Sequence, residues 1–288
     1  MSGVTSPFET TATNGMHGAI DLAFRAGPGK GGARLARLYQ RAPLRALFPM
    51  TDGCGVTQAV LLTTSGGLVG GDRMDVRVAA GEGAAVLVTA QAAEKVYRSL
   101  GPVARIGISL AAAGGSWLEW LPQETILFDG ARLDRSMAIE AAPGARVLAG
   151  EILVFGRRAR GEAWTRGRLR EAWEVRRDGR LVWADALRAE GDLRGVFASA
   201  SCLAGATAVA TAIYLGDGVE AALDLARDLT AAGSAGEMAA ATLIGGLLVV
   251  RWLAPDPRPL RDAFGRFWAA MRHRLGGLPA ALPRVWNV

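Results

Sequence analysis

Side chains that hold metals or form disulfides are scarce in this sequence. Among 288 residues there are two cysteines, Cys54 and Cys202, and two histidines, His17 and His273. The cysteines form no C-x-x-C pair, so no disulfide framework is expected and each reads as a small buried apolar residue. A tetrahedral zinc-type site is hard to assemble from so few His and Cys. Lysine is equally rare, with only Lys30 and Lys95, so the formal charge of +6 is carried by arginine. Long apolar runs are missing too. The best, residues 238–250, is interrupted by Gly245 and Gly246 and closed by Arg251, short of the ~18–20 residues of a membrane span. Residues 1–15 are mostly Ser, Thr, Gly and Ala, without the basic-then-apolar order of a secretory signal. A cytoplasmic protein with no membrane partner is expected.

What is present points to a folded, turn-rich body. Half of the residues are hydrophobic and 21% are charged, a balance that lets a chain of this length bury roughly 75% of its unfolded surface. The 38 glycines follow no G-X-Y period, which excludes collagen and implies many tight turns. The densest basic stretch runs from Arg157, Arg158 and Arg160 through Arg166, Arg168 and Arg170 to Arg176, Arg177 and Arg180. Without finger spacing, an RNP-like string or a basic heptad region, a solvated strand face is favoured there over a docking surface for an acidic partner.

From Val56 to about Ala189 short apolar or alternating runs separated by glycine turns read as strands. Asp178-Gly179, between Trp173/Val175 and Leu181/Trp183, signals a hairpin. A weak repeat runs through this region: a Gly-X turn, an apolar strand and then Gln or Glu, at Gly83 to Gln91, Gly115 to Gln123 and Gly144 to Glu151. A period near 30 suits stacked β-coils, although a Gly/Ala-rich composition can also produce it. If the coils stack, Gln91, Gln123 and Glu151 should lie on one line. Helices come late. Val219 to Leu229 carries one apolar face, and Pro259 to Leu275 carries a stripe of Leu260, Phe264, Phe267, Trp268, Met271 and Leu275 with Gly276-Gly277 ending it. Residues 243–253 read as further strand.

Two strings invite chemistry. Thr63-Thr64-Ser65-Gly66-Gly67-Leu68-Val69-Gly70-Gly71-Asp72 looks like a phosphate cradle, but Met74-Asp75-Val76-Arg77-Val78 alternates as a strand and no Gly-Lys-Ser/Thr follows. A hairpin-like or bulged connection is expected instead, and no nucleotide hydrolysis by this chain. Glu119 and Glu124, flanked by tryptophans in Trp117-Leu118-Glu119-Trp120-Leu121-Pro122-Gln123-Glu124, could form a glycosidase pair. The other accounts are a surface loop, or carboxylates turned inward along a polar channel.

These strings, with Gln91-Ala92-Ala93-Glu94-Lys95-Val96-Tyr97-Arg98, with Phe128-Asp129-Gly130-Ala131 and with the closing Leu282-Pro283-Arg284-Val285-Trp286, resemble the urease accessory protein UreD (UreH) family over nearly the whole chain. Departures are Glu94, where a smaller polar residue is expected, and the first forty residues, which match poorly. The resemblance implies a single UreD-like domain over 1–288, a mainly β fold with strands wound into a two-layer β-helix-like body at about 15–215, and a mixed helix and strand part at about 216–288. It implies a non-catalytic scaffold that binds apo-urease with UreF and the GTPase UreG and assists GTP-dependent nickel delivery, with an internal tunnel as the route. It also implies a heterodimer that assembles into a dimer of heterodimers. No tightly bound cofactor is expected: nickel would be in transit, and GTP would be bound by the partner GTPase.

A conduit needs oxygen and amide ligands that release the ion, not a Cys/His trap. The candidates for its lining are Asp72, Gln91, Glu94, Glu119, Gln123, Glu124 and Glu151, since an unpaired buried acid is otherwise costly. The alternatives are a β-helical carbohydrate-active hydrolase using Glu119 and Glu124, or an Arg-rich nucleic-acid-binding module. A scaffold should also expose an apolar face, from Leu260/Phe264/Trp268 or Trp164/Trp173/Trp183.

Overall fold

A computed structural model describes residues 15–27, 32–50, 53–231 and 237–287; Lys30 and the start of the chain through Asn14 lie outside them. The described strands are β1 (His17–Ala26), β2 (Ala33–Arg41), β3 (Leu44–Leu47), β4 (Thr57–Thr63), β5 (Arg73–Ala80), β6 (Ala85–Ala90), β7 (Glu94–Val96), β8 (Ala104–Ala112), β9 (Trp117–Leu121), β10 (Thr125–Leu127), β11 (Arg132–Ala141) and β12 (Arg146–Phe155). They continue with β13 (Arg166–Arg177), β14 (Arg180–Asp192), β15 (Ala208–Leu215), β16 (Met238–Ile244) and β17 (Leu247–Ala254). The α-helices are α1 (Arg194–Ala198), α2 (Val219–Ala231) and α3 (Pro257–Gly276).

Three glycine turns build the centre. Gly83, Gly115 and Gly144 have φ of 64°, 68° and 73°, a left-handed conformation that side chains resist. Each turn passes the chain from one sheet to the other: β5 to β6, β8 to β9 and β11 to β12. The turns stack, with Gly83 N–H donating to Gly114 O at 3.1 Å and Gly115 N–H to Gly144 O at 3.2 Å. Parallel register places Ala85 beside Trp117 and Trp117 beside Arg146, so the 32- and 29-residue spacings of the repeat are the lengths of successive coils. The result is a seven-stranded sheet, β14-β13-β11-β8-β5-β1-β2, packed on a ten-stranded one whose main path is β16-β17-β15-β12-β9-β6-β4-β3, with β7 and β10 beside it.

Between the sheets lies one apolar core, including Leu22, Val76, Val86, Leu110, Leu118 and Val147. A second core covers the outer face of the larger sheet, where Leu87, Trp117, Leu148 and Trp252 meet Phe264, Phe267, Trp268 and Met271 of α3. Central strand β9 is therefore buried on both faces, as parallel strands usually are. Helix α3 begins two residues earlier than its stripe predicts, because Asp256 caps it by accepting from Arg258 N–H at 2.9 Å. Gly277, at φ 64°, ends it.

Several expectations need correction. The connection from Thr63 to Asp72 is not hairpin-like: it crosses from β4 in the larger sheet to β5 in the smaller. Its glycines allow close backbone approach, since a Cβ on Gly67 would sit 2.6 Å from Lys95 O, while Leu68 N–H donates to Lys95 O at 2.7 Å. Residues 243–253 are not one strand but the hairpin β16–β17, turned at Gly245 and Gly246 with φ of 59° and 76°. Cys54 is buried, but Cys202 is exposed, since it falls in the turn after α1 where no second layer covers it. Neither apolar face is free: Leu260, Phe264, Trp268, Trp164, Trp173 and Trp183 are all buried, because α3 closes on the larger sheet and the Trp164/Trp173/Trp183 group packs between the layers. No helix among the described residues is long and apolar enough to cross a membrane.

Candidate functional site

Alternation along two neighbouring strands places charge where a core residue belongs. On β11 the inward positions are Leu133, Arg135, Met137 and Ile139; on β13 they are Leu169, Glu171, Trp173 and Val175. Parallel pairing sets Arg135 directly beside Glu171. From the facing sheet, β12 contributes Glu151. Arg135 is 2% exposed, Glu151 5% and Glu171 6%, so all three charges have left bulk water.

The guanidinium holds both acids. Arg135 Nε donates to Glu171 Oε2 at 2.6 Å, and Nη1 lies 2.8 Å from Glu151 Oε2 and donates to Thr125 Oγ1 at 2.8 Å. Trp120 Nε1 donates to Glu151 Oε1 at 2.9 Å. Satisfaction is incomplete, however. Arg135 Nη2 has no hydrogen-bond partner among the described residues, Glu171 has a further donor in the Trp173 side chain, which meets Oε1 in poor alignment, and the Glu151 Oε2 contact is ionic without hydrogen-bond alignment. Burial pushes the Glu171 carboxyl up to about 7, against the pull of Arg135 and with the repulsion of Glu151 added. Burial likewise raises Glu151 and, nearby, Glu94. Burial works against the Arg135 charge, but Glu151 and Glu171 outweigh it and hold the guanidinium charged.

Space lies on both sides of this cluster. A cavity of about 270 Å³ is lined by Thr63, Gln91, Glu94, Gln123, Arg135 and Glu151 among others. A smaller chamber of about 30 Å³, lined by Glu171, Asp185 and Thr211 among others, also has Arg135 and Glu151 in its wall. Arg135 and Glu151 thus form the partition between two inter-sheet spaces. No His or Cys lines either space, and no group of three or more His, Cys, Asp or Glu among the described residues converges closely enough to hold a metal ion.

Of the seven residues singled out in the sequence, four reach the larger cavity: Gln91 at an exposed position, Glu94 accepting from Thr63 Oγ1 at 2.9 Å, Gln123 and Glu151. The other three lie elsewhere. Asp72 ties down the glycine loop by accepting from Met16 N–H at 2.8 Å and Val69 N–H at 2.9 Å. Glu124 pairs with Arg261 at 3.2 Å on a separate groove. Glu119 faces α3, where it accepts from Trp117 Nε1 at 2.8 Å and Trp268 Nε1 at 2.7 Å and pairs with Arg272 at 3.1 Å. Glu119 and Glu124 share no cleft, so the glycosidase geometry is absent.

The expected line of Gln91, Gln123 and Glu151 is also broken. Glu151 follows Gln123 by 28 residues, one short of the coil length, and a one-residue slip turns a strand side chain to the other face. Sequence reasoning passed over Arg135 and Glu171. Their signal was present: a charge at an inward position of an alternating strand, Leu-x-Arg-x-Met and Leu-x-Glu-x-Trp.

Comparison with known proteins bears on what this arrangement serves. The family model for the UreD urease accessory protein matches residues 16–287. A Magnetococcus marinus protein named urease accessory protein UreD is 43% identical over 290 residues, covering 100% of this chain and 99% of that protein. A Methylobacterium protein of the same name is 45% identical over 270 residues, covering 92% and 93%, and one from Rhodopseudomonas palustris strain BisB18 is 40% identical over 282 residues, covering 98% of each. With coverage this complete at both ends, the chain belongs to the UreD family of urease accessory proteins.

Proposed function

We propose that this chain is a non-catalytic scaffold of urease maturation that binds apo-urease together with UreF and UreG and lets nickel pass through the space between its two sheets. The observation that carries this reading is the cavity of about 270 Å³ that reaches from an exposed rim at Gln91 and Lys95 to the buried charges of Arg135 and Glu151 between the sheets. Burying carboxylates and a guanidinium costs several kcal/mol per ion before pairing, and unlike the Glu119–Arg272 centre this cluster borders open space. The oxygen and amide groups of Glu94, Gln91 and Glu151 suit a cation that must leave again, because they bind nickel less durably than thiolate and imidazole do, whereas the Gln123 amide is held by Arg261 and Val285 O. The two-sheet body supplies the rigid wall, and GTP is left to the partner GTPase.

The test is maturation of apo-urease with purified UreF, UreG and this chain carrying Glu94→Gln and Glu151→Gln together. Activation and urease nickel content are expected to fall at least fivefold while the complex still co-purifies. Full activation by a folded, complex-forming double variant would contradict the proposal, and failure to co-purify with any of the three partners would remove the scaffold role.

A further inference from the structure

The turns that lead into β8, β11 and β13 and out of β14 meet at one end of the smaller sheet. Backbone hydrogen bonds tie each to the next: Ser99 N–H donates to Gly130 O at 3.0 Å, Gly130 N–H to Arg166 O at 2.9 Å and Leu193 N–H to Thr165 O at 2.9 Å. One arginine from each, Arg98, Arg132, Arg166 and Arg194, lines an open cavity of about 670 Å³ between them. Elsewhere on this sheet arginines are matched by acids, Arg170 with Asp134 at 3.2 Å and Arg176 with Glu174 at 3.3 Å. At the cavity they are not. The exposed Arg98 and Arg166 side chains form no ion pair among the described residues. Arg132 reaches only Glu190, at 3.4 Å, and its buried Nε is idle. The two acids of the lining are spent on the turns: Asp129 accepts from Thr165 N–H at 2.7 Å and Arg166 N–H at 3.2 Å, and Asp192 from Arg194 N–H at 3.1 Å. Four arginines against two aspartates leave the lining at +2. Counting Arg168 and Arg188, which share Glu190 with Arg132, makes +3, and the neighbouring Arg157–Glu162 pair is neutral.

We propose that this arginine-lined mouth binds an acidic segment of a partner protein, with Arg98, Arg132, Arg166 and Arg194 receiving its carboxylates. A guanidinium stays charged and offers a planar fork that matches a carboxylate with two parallel hydrogen bonds. Neighbouring strands lie about 4.8 Å apart, so four arginines on four successive turns span roughly 14 Å, the reach of about four residues of extended chain. The cavity therefore suits a short run of Asp or Glu better than a single ion. Leu100, 92% exposed, stands at its rim and offers contact to an apolar side chain in the same segment. A second copy of this chain is disfavoured as occupant, because it would bring a net charge of +6 and the same arginines. A nucleic acid would find charge but no stacking platform, since no aromatic ring lines the cavity among the described residues. The mouth shares no lining residue with the cavity of about 270 Å³, so it stands apart from the transit reading.

Fluorescence anisotropy of fluorescein-labelled hexaglutamate with the full-length chain, at low and at physiological salt, tests the mouth without urease. Arg98→Gln with Arg166→Gln is expected to weaken binding at least tenfold. Arg170→Gln with Arg176→Gln removes the same charge from paired positions on the same sheet and is expected to change affinity less than twofold. If the first double variant does not fold, Arg166→Gln alone takes its place, with a loss of at least threefold expected. Absence of hexaglutamate binding overturns the proposal, as does an equal loss in both double variants, which would make the attraction one of general surface charge. Two competitors complete the test. Displacement of hexaglutamate by an equal concentration of inorganic phosphate would make this a small-anion site, and tighter binding of double-stranded DNA than of hexaglutamate would make it a nucleic-acid surface; either result overturns the acidic segment.

Discussion

A buried arginine–glutamate centre lies on each side of the larger sheet, one under α3 and the other shared with the smaller sheet. On the outer face Glu119 and Arg272, both fully buried, join β9, α3, the 279–281 segment and the loop at Cys54 into one latch. On the inner face Arg135, Glu151 and Glu171 are almost as buried but border two cavities and leave polar atoms idle. Burial alone therefore does not tell a structural charge from a functional one; saturation and adjoining space do. In the latch the desolvation cost is offset by a full set of partners, whereas the inner cluster is less fully satisfied and lies against open space.

Breaking the latch should give the largest effect. Arg272→Met leaves Glu119 charged and unpaired in an apolar layer, and a loss of about 3–5 kcal/mol is expected in urea unfolding. A loss below 1 kcal/mol would mean that the two centres do not differ as described. The inner cluster should answer in the opposite direction. Replacing it whole with Arg135→Met, Glu151→Leu and Glu171→Leu is expected to leave stability unchanged or to raise it by about 1–4 kcal/mol, while urease activation is lost. A large destabilisation would make the cluster a second latch.

The pH dependence sharpens the contrast further. Glu171 titrates near 7 in the folded chain against 4.5 for an ordinary glutamate, so between those values the folded state holds a proton that the unfolded state has released. Stability contributed by this group is therefore present at low pH and is lost as pH rises from about 4.5 to about 7. Glu171→Gln should remove that decline, so that variant and unmodified chain differ more at pH 8 than at pH 5; an equal difference at both pH values would contradict the raised carboxyl. At the smallest end, Gln91→Ala at the exposed rim of the cavity should shift stability by no more than about 0.5 kcal/mol, a value that thermal melting can check.

How much of this was legible beforehand follows from the range of each interaction. The coil lengths could be read from Gly83, Gly115 and Gly144 because a turn with positive φ is a local requirement. The apolar stripe of α3 and its terminal glycine were legible for the same reason. Which sheet a strand joins is decided by distant partners, so the crossover from Thr63 to Asp72 looked like a hairpin. Burial of the Trp164, Trp173 and Trp183 group and of the α3 stripe likewise depends on closure between layers. Among the site residues, Gln91, Gln123 and Glu151 were found through the repeat and Glu94 in the string that follows Gln91, yet Glu151 faces the inner layer only because its coil is one residue short. Arg135 and Glu171 escaped because they lie among arginines and acids that do face solvent, such as Arg170 and Glu174; the alternation that sets them apart becomes decisive only once β11 and β13 are known to pair.

The most direct measurement is the nickel content of urease matured with a chain in which the cavity is narrowed without touching a carboxylate. Ile106 lines the cavity beside Arg135 on the adjacent strand, and Ile106→Trp would fill part of it. Transit between the sheets requires a several-fold fall in urease nickel while UreF, UreG and urease still co-purify with the variant. Full nickel occupancy delivered by a folded chain with the cavity filled would contradict it.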